Sequence, residues 1–399
     1  MKGHLLMSSK ERRRKSVFDE VREGRISIKE AARLVNLGYR QCRRSYKRFL
    51  EEGDAGLVHR SRGRVSNRSK SDSFKQKVLK RYEERYMGFG PTLATEKLEK
   101  EGLVVDHDTL RRWLLETKLM EPKRRRKAYR SRRERKPHFG QLVQVDGSHH
   151  RWFGEDGPET CLVNMVDDAT GVTMSFMAEE ETTVACMKQL WQWIDNYGVP
   201  QALYTDKKNV FITSREPTIE EQLEDIAPKT AFGKACEKLG IEIIAANSPQ
   251  AKGRVERNHG VYQDRFVKEL RLRRVTTITG ANKVLADGFI DELNRKFSIE
   301  PASQADFHCP VPKGLDLADV FCFEDQRVVS NDWTVRHKNV HYQIEQGNSQ
   351  HPQPKDKVIV RTRLDGTIHL LFNNKPLKYK KLTSKDLQRR TARRMNKPV

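Results

Sequence analysis

Three carboxylates stand out by where they fall in the chain. Asp146 closes the run Q-L-V-Q-V-D (141–146), Asp206 closes A-L-Y-T-D (202–206), and Glu256 sits within S-P-Q-A-K-G-R-V-E-R-N-H-G (248–260), at separations of 60 and 50 residues. Carboxylates at the ends of two adjacent strands and on a helix packed over them can converge. Three convergent carboxylates suit hard divalent cations with oxygen ligands and open water positions. Two such ions, about 3.5 to 4 Å apart, clamp the attacking and leaving oxygens of an in-line phosphoryl transfer. The chemistry so read is cleavage or exchange of phosphodiesters.

The surrounding elements must position these groups. Hydrophobic alternation predicts strands over 141–146, 161–167 and 172–178, a helix over 182–197, a strand over 202–206, a helix over 230–239, a strand over 241–245 and a long helix over 250–271. Hairpin-linked strands followed by helices indicate an α+β core. Asp167 and Asp168, in D-D-A-T-G, are turn formers or rival metal ligands, and the turn signature favours the turn. The acidic, proline-bounded stretch 213–229 reads as a loop over the site. His259 and Gln263, three and seven residues after Glu256, share its helical face and can hydrogen-bond to DNA, while Lys252 and Arg254 suit phosphate contacts. Arg257 suits a contact or an ion pair.

Charge identifies the partner. The 399 residues carry 77 Lys+Arg against 54 Asp+Glu, a net +23. Residues 1–137 hold 40 basic and 19 acidic groups, 138–297 hold 19 and 24, and 298–399 hold 18 and 11. A strongly basic N-terminal third ahead of an acidic middle suits double-stranded DNA. No basic helix with a bulky apolar face and no long apolar run points to a membrane, so a cytoplasmic protein is expected. The six cysteines show no C-x-x-C pair, so neither a disulfide framework nor a zinc finger is supported.

Seven segments follow. Residues 1–58 read as a helix-turn-helix domain whose third helix carries Arg40, Arg43, Arg44, Lys47 and Arg48 around a Tyr46/Phe49/Leu50 stripe, as a recognition helix requires. Residues 59–72 form a basic arm, with Arg62 and Arg64 able to lie in a minor groove. Residues 73–120 read as a second helix-turn-helix unit with Arg111 and Arg112 on its last helix, and 121–137 as a basic linker in which Arg124, Arg125 and Arg126 track phosphates. The catalytic core spans 138–297. A linker (298–320) follows, and residues 321–399 read as short strands forming a small β-barrel with a basic tail.

V-D-G-S-H at 145–149, Y-T-D at 204–206 and the 248–260 block resemble the three catalytic blocks of the DDE transposase and retroviral integrase superfamily. The order of segments is similar to insertion-sequence transposases of the ISNCY group. The resemblance implies an RNase H-like core with Asp146, Asp206 and Glu256 as metal ligands. It implies two Mg²⁺ ions, with Mn²⁺ able to substitute, and cut-and-join activity on transposon ends. It also implies at least a dimer on DNA, in a prokaryotic, nucleoid-associated setting. Two departures stand out: the 50-residue second interval is longer than in many relatives, and position 263 holds Gln where they carry Lys or Arg. The competing readings are an RNase H-like nuclease without strand transfer and a non-catalytic helix-turn-helix regulator.

Overall fold

A computed structural model describes residues 5–63, 69–122, 133–223, 225–246, 253–383 and 386. The chain divides into two compact units: residues 1–87 with 98–119, and residues 88–97 with 120–399.

In the first unit, α1 (Ser9–Arg22), α2 (Ile28–Leu34) and α3 (Tyr39–Glu52) enclose Phe18, Ala31, Ala32, Cys42, Phe49 and Leu57. Reciprocal capping boxes start the first two helices, Ser8 with Glu11 and Ser27 with Glu30, each satisfying two otherwise orphaned backbone donors. The same unit holds α4 (Asp72–Arg85) and α6 (His107–Glu116), which bury Val78, Tyr82, Leu110, Trp113 and Leu114. Asp106 caps α6 through the amides of Asp108 and Thr109.

The helix α5 (Pro91–Lys100) crosses the unit boundary. Its Glu96 belongs to the second unit, where it accepts from both Nη atoms of Arg265 at 2.7 and 2.9 Å and from Lys296.

The second unit is built on a five-stranded sheet of order β3-β2-β1-β4-β5, with β1 (Val143–His150), β2 (Thr160–Asp167), β3 (Thr173–Ala178), β4 (Ala202–Thr205) and β5 (Glu242–Ala245). The first three strands are antiparallel; β4 runs parallel to β1, and β5 to β4. Side-chain alternation sends Val143, Val145, Cys161 and Val163 to one face, against α7 (Thr183–Tyr197) and α9 (Ala231–Leu239). Leu162 and Met177 meet the opposite layer of α10 (Gly253–Arg273), α11 (Ile278–Val284) and α12 (Ile290–Phe297). A short α8 (Ile219–Leu223) lies in the 213–229 stretch. Trp152 and Trp193 are fully buried, one on each side.

Residues 298–320 run along this core: Val199 and Cys309 exchange backbone hydrogen bonds of 2.8 Å, and a turn of helix, α13 (Leu317–Val320), leads onward. Among the described residues of 321–399 the expected barrel is not formed, because no sheet closes on itself. Instead a four-stranded sheet, β11-β10-β9-β6, and a three-stranded sheet, β12-β8-β7, share an apolar core of Val329, Val335, Tyr342, Ile344, Val358, Val360, Leu370 and Leu377. The strands are β6 (Cys322–Val328), β7 (Thr334–His337), β8 (Val340–Ile344), β9 (Lys357–Arg363), β10 (Ile368–Phe372), β11 (Lys375–Leu377) and β12 (Tyr379–Lys381). Closure fails at two places. After β6 the chain turns through Trp333, whose φ is +55°, before β7 pairs with β8 alone. Between β11 and β12 the Lys378 carbonyl is taken by the amide of Glu345 and the side chain of Asn348, which moves β12 onto β8.

Candidate active site

The site forms where β1 and β4 part. Their parallel ladder holds only at Val143 with Leu203 and Gln144 with Tyr204. Asp206 follows the last residue of β4, and Asp146 lies two residues beyond the last pair on β1. The sequence reading ends the first strand at Asp146, but β1 continues to His150 because its antiparallel register with β2 is unbroken from Val143 to His150. Asp146 is therefore mid-strand, at the opening of a fork.

Alternation places Gln144, Asp146 and Ser148 on the α10 face of β1. Two contacts on either side of Asp146 fix the helix: Gln144 Oε1 accepts from the amide of Val255 at 3.2 Å, and Ser148 Oγ accepts from Gln263 Nε2 at 3.2 Å. Asn164, directly opposite Asp146 on β2, donates to Asn258 Oδ1 at 2.7 Å. The helical turn bearing Glu256 is thus tied to both immediate neighbourhoods of Asp146. Glu256 itself is exposed on the first turn of α10.

Asp146 and Asp206 meet at one ammonium. Lys208 Nζ lies 3.2 Å from Asp206 Oδ2 and 4.0 Å from Asp146 Oδ1, and it also donates to Glu181 Oε2. Burial alone would lower the Lys208 pKa, but the hydrogen bond it donates to Glu181 and the surrounding carboxylates raise it above its ordinary value. Glu181 was not among the residues singled out from sequence. The available signal was its place immediately before Thr182, the N-cap of α7, at the end of Glu179-Glu180-Glu181.

Asp167 and Asp168 behave differently from each other. Asp167 does form the turn, accepting from the Thr170 amide at 2.7 Å and its hydroxyl at 2.8 Å, and burial pushes its carboxyl upward. Asp168 also lies in this turn, but its carboxylate is used elsewhere. It is fully buried and collects Arg133, Arg254 Nε (2.8 Å), Gln144 Nε2 (2.9 Å) and the Lys136 amide (2.8 Å). Arg254, expected on DNA, is therefore half-buried against Asp168, and its burial lowers its pKa.

Among the other residues expected on DNA, Arg40, Arg43, Arg44 and Lys47 are exposed on α3, with Lys47 3.7 Å from Glu51. Arg48 is half-buried and donates to Ser45. Arg62 is committed to the buried Glu11 at 2.6 Å, which holds that carboxyl down at about 2. Arg111 and Arg112 are exposed on α6, the latter 4.0 Å from Glu116. His259 is buried against the sheet side of α10. Arg64, Arg124, Arg125, Arg126 and Lys252 lie outside the described residues.

Fold and site together define a helix-turn-helix unit followed in sequence by an α+β core of strand order β3-β2-β1-β4-β5 with an acidic centre. A model of the family described as a helix-turn-helix domain matches residues 13–64. The chain is 34% identical over 381 residues to the protein named "Putative transposase y4bF" of Sinorhizobium fredii, across 95% of this chain and 82% of that one. It is 28% identical over 410 residues to the transposase for insertion sequence IS1202 of Streptococcus pneumoniae, across 93% and 86% of the two chains. Solved structures that resemble it include the HTLV-2 integrase catalytic core domain in complex with magnesium (19% identity, 42% of this chain, 94% of that one, TM-score 0.30). Another is the simian T-cell lymphotropic virus intasome in complex with PP2A regulatory subunit B56 gamma (14% identity, 73% and 95%, TM-score 0.33). The chain belongs to the insertion-sequence transposases. No helix among the described residues is long and apolar enough to cross a membrane.

Proposed function

We propose that this transposase binds the terminal repeats of its element, cuts the DNA there, and joins the freed 3′-OH to target DNA, using Asp146, Asp206 and Glu256 as one site. The reading is carried by a single observation: Asp146 and Asp206 converge on the Lys208 ammonium while Val255 and Asn258, in the turn bearing Glu256, are hydrogen-bonded to Gln144 and to Asn164, the residue opposite Asp146 on β2. Carboxylates gathered around a lysine nitrogen already form a cation site by charge and donor type. Oxygen donors of this kind fit Mg²⁺, with Mn²⁺ as a substitute, and two such ions supply the charge that stabilises an in-line displacement at phosphorus.

The protein's own residues do the rest. Asp168 and Arg254 set the start of α10, and with it Glu256. Ser148 and Gln263 hold the next turns of the helix against β1. Exposed Arg40, Arg43, Arg44 and Lys47 on α3, with Arg111 and Arg112 on α6, provide phosphate and base contacts to the ends. Both cutting and joining exchange one phosphodiester oxygen for another, so no covalent enzyme intermediate is required. Pairing two ends requires at least a dimer on DNA. The decisive experiment incubates the protein with a labelled end duplex and a plasmid target in Mg²⁺. Label appearing in the plasmid supports transposition; cleaved ends without joined product reduce the protein to a nuclease, and binding without nicking to a regulator.

A further inference from the structure

On the face of β1 turned away from α10, a second cluster of ligand-type atoms lies beside the acidic centre. A ring nitrogen of His149, the Cys161 sulfur and a carboxylate oxygen of Glu181 all fall within 4.8 Å of one another. Their convergence is built into the sheet. His149 and Cys161 are directly opposed across the β1–β2 ladder, and Gly147, on the same face, leaves the space that Glu181 and Cys161 fill. A Cβ at Gly147 would stand 2.4 Å from Glu181 Oε2 and 2.9 Å from Cys161 Sγ. The Glu181 side chain is only 4% exposed, and its two oxygens differ: Oε2 is taken by Lys208, whereas Oε1 is buried with no hydrogen-bond partner among the described residues. A buried carboxylate oxygen left unmatched is costly unless something positive meets it.

We propose that His149, Cys161 and Glu181 bind a thiophilic divalent cation such as Zn²⁺, as a site separate from the Asp146–Asp206–Glu256 centre. The donor set of one imidazole, one thiolate and one carboxylate is the set that zinc prefers and magnesium does not, and water completes four-coordination. Cys161 is fully buried, while His149 is exposed and marks the route of entry. On binding, the Cys161 thiol proton leaves to solvent as the metal–sulfur bond forms, giving two negative ligands against two positive charges. Lys208 stays on Oε2, so the ion uses the oxygen that has no partner.

The test uses the full-length protein with Zn²⁺ in competition with a chromophoric chelator, and with Co²⁺ as a spectroscopic replacement. One equivalent should bind, and Co²⁺ should give a thiolate-to-metal charge-transfer band that Cys161→Ser abolishes. His149→Ala, at an exposed position that leaves the fold intact, should weaken Zn²⁺ binding by at least about tenfold. Asp146→Asn should leave the cobalt spectrum unchanged, and excess Mg²⁺ should not displace Zn²⁺. The proposal is overturned by absence of the band, by its survival in Cys161→Ser, by unchanged affinity in His149→Ala, or by displacement with Mg²⁺.

Discussion

Arg254 Nε lies 2.8 Å from a carboxylate oxygen of the fully buried Asp168 and 3.0 Å from its backbone oxygen. Arg254 stands two residues before Glu256, and Gln144, which donates to the same carboxylate, also accepts from the next amide of the helix, Val255. One buried anion thus sets where α10 begins relative to β1.

Asp168→Ala should therefore be far more damaging than a turn substitution. It strands two guanidinium groups and the Gln144 amide, a loss of about 3 kcal/mol. The urea midpoint should fall accordingly, and joining should drop even at temperatures where the variant is folded. Near-wild-type stability would remove Asp168 from the positioning role.

Asp146→Asn, Asp206→Asn and Glu256→Gln each delete one anionic oxygen while keeping side-chain shape. Each is expected to reduce nicking and joining on the order of a hundredfold or more, since several kcal/mol of charge stabilisation are lost. Binding to an end duplex should change little. Retained cleavage on pre-bound duplex with Mg²⁺ would exclude that residue from the site.

Arg43→Ala or Arg44→Ala should cost about 1–3 kcal/mol of specific end binding where the side chain reaches a base edge. Loss at a phosphate contact would instead weaken all sequences alike and flatten the salt dependence. Competition binding against unrelated duplex at two salt concentrations separates these outcomes.

Glu11 supplies a pH dependence. The Arg62 hydrogen bond, with that of the Ser8 amide, lowers its pKa from 4.5 to about 2. Because the folded value lies below the unfolded one, the stabilisation is fully present above the ordinary carboxylate range and is lost as pH falls toward the folded value. Thermal unfolding of the wild type should decline through that window, while Arg62→Ala should start lower at neutral pH and decline less. Parallel curves for the two proteins would contradict the assignment.

Gly147→Ala should destabilise the core by about 1–3 kcal/mol through overpacking against Glu181 and Cys161. Differential scanning calorimetry reads the shift directly, and an unchanged midpoint would show that Glu181 moves aside freely.

Much of this arrangement is legible in the sequence because the signals are local. The S-x-x-E boxes at Ser8 and Ser27 mark helix starts, alternation marks β1 to β3, and the A-L-Y-T-D run places Asp206 at the end of a strand, one residue past the Thr205 at which β4 stops. What sequence spacing misses depends on distant partners. Asp168 looks like its neighbour Asp167 until Gln144, 24 residues earlier, and Arg254, 86 residues later, fold onto it. Glu181 is one of three consecutive glutamates, and only the sheet turns it toward Lys208. The C-terminal strands are individually evident, but closing a barrel requires edge pairing, and the breaks at Trp333 and Lys378 prevent it.

The Asp168 cluster also orders events in time. Arg133, Lys136 and Gln144 can reach Asp168 as soon as the first hairpin exists, whereas Arg254 enters only after the β4, α9 and β5 segments have been synthesised. Contacts of long sequence separation form late. A chain released from the ribosome before residue 253 carries Asp146 and Asp206 but lacks both Glu256 and the arginine that seats its helix. An unfinished polypeptide of this protein therefore holds two of the three carboxylates without the helix that carries the third.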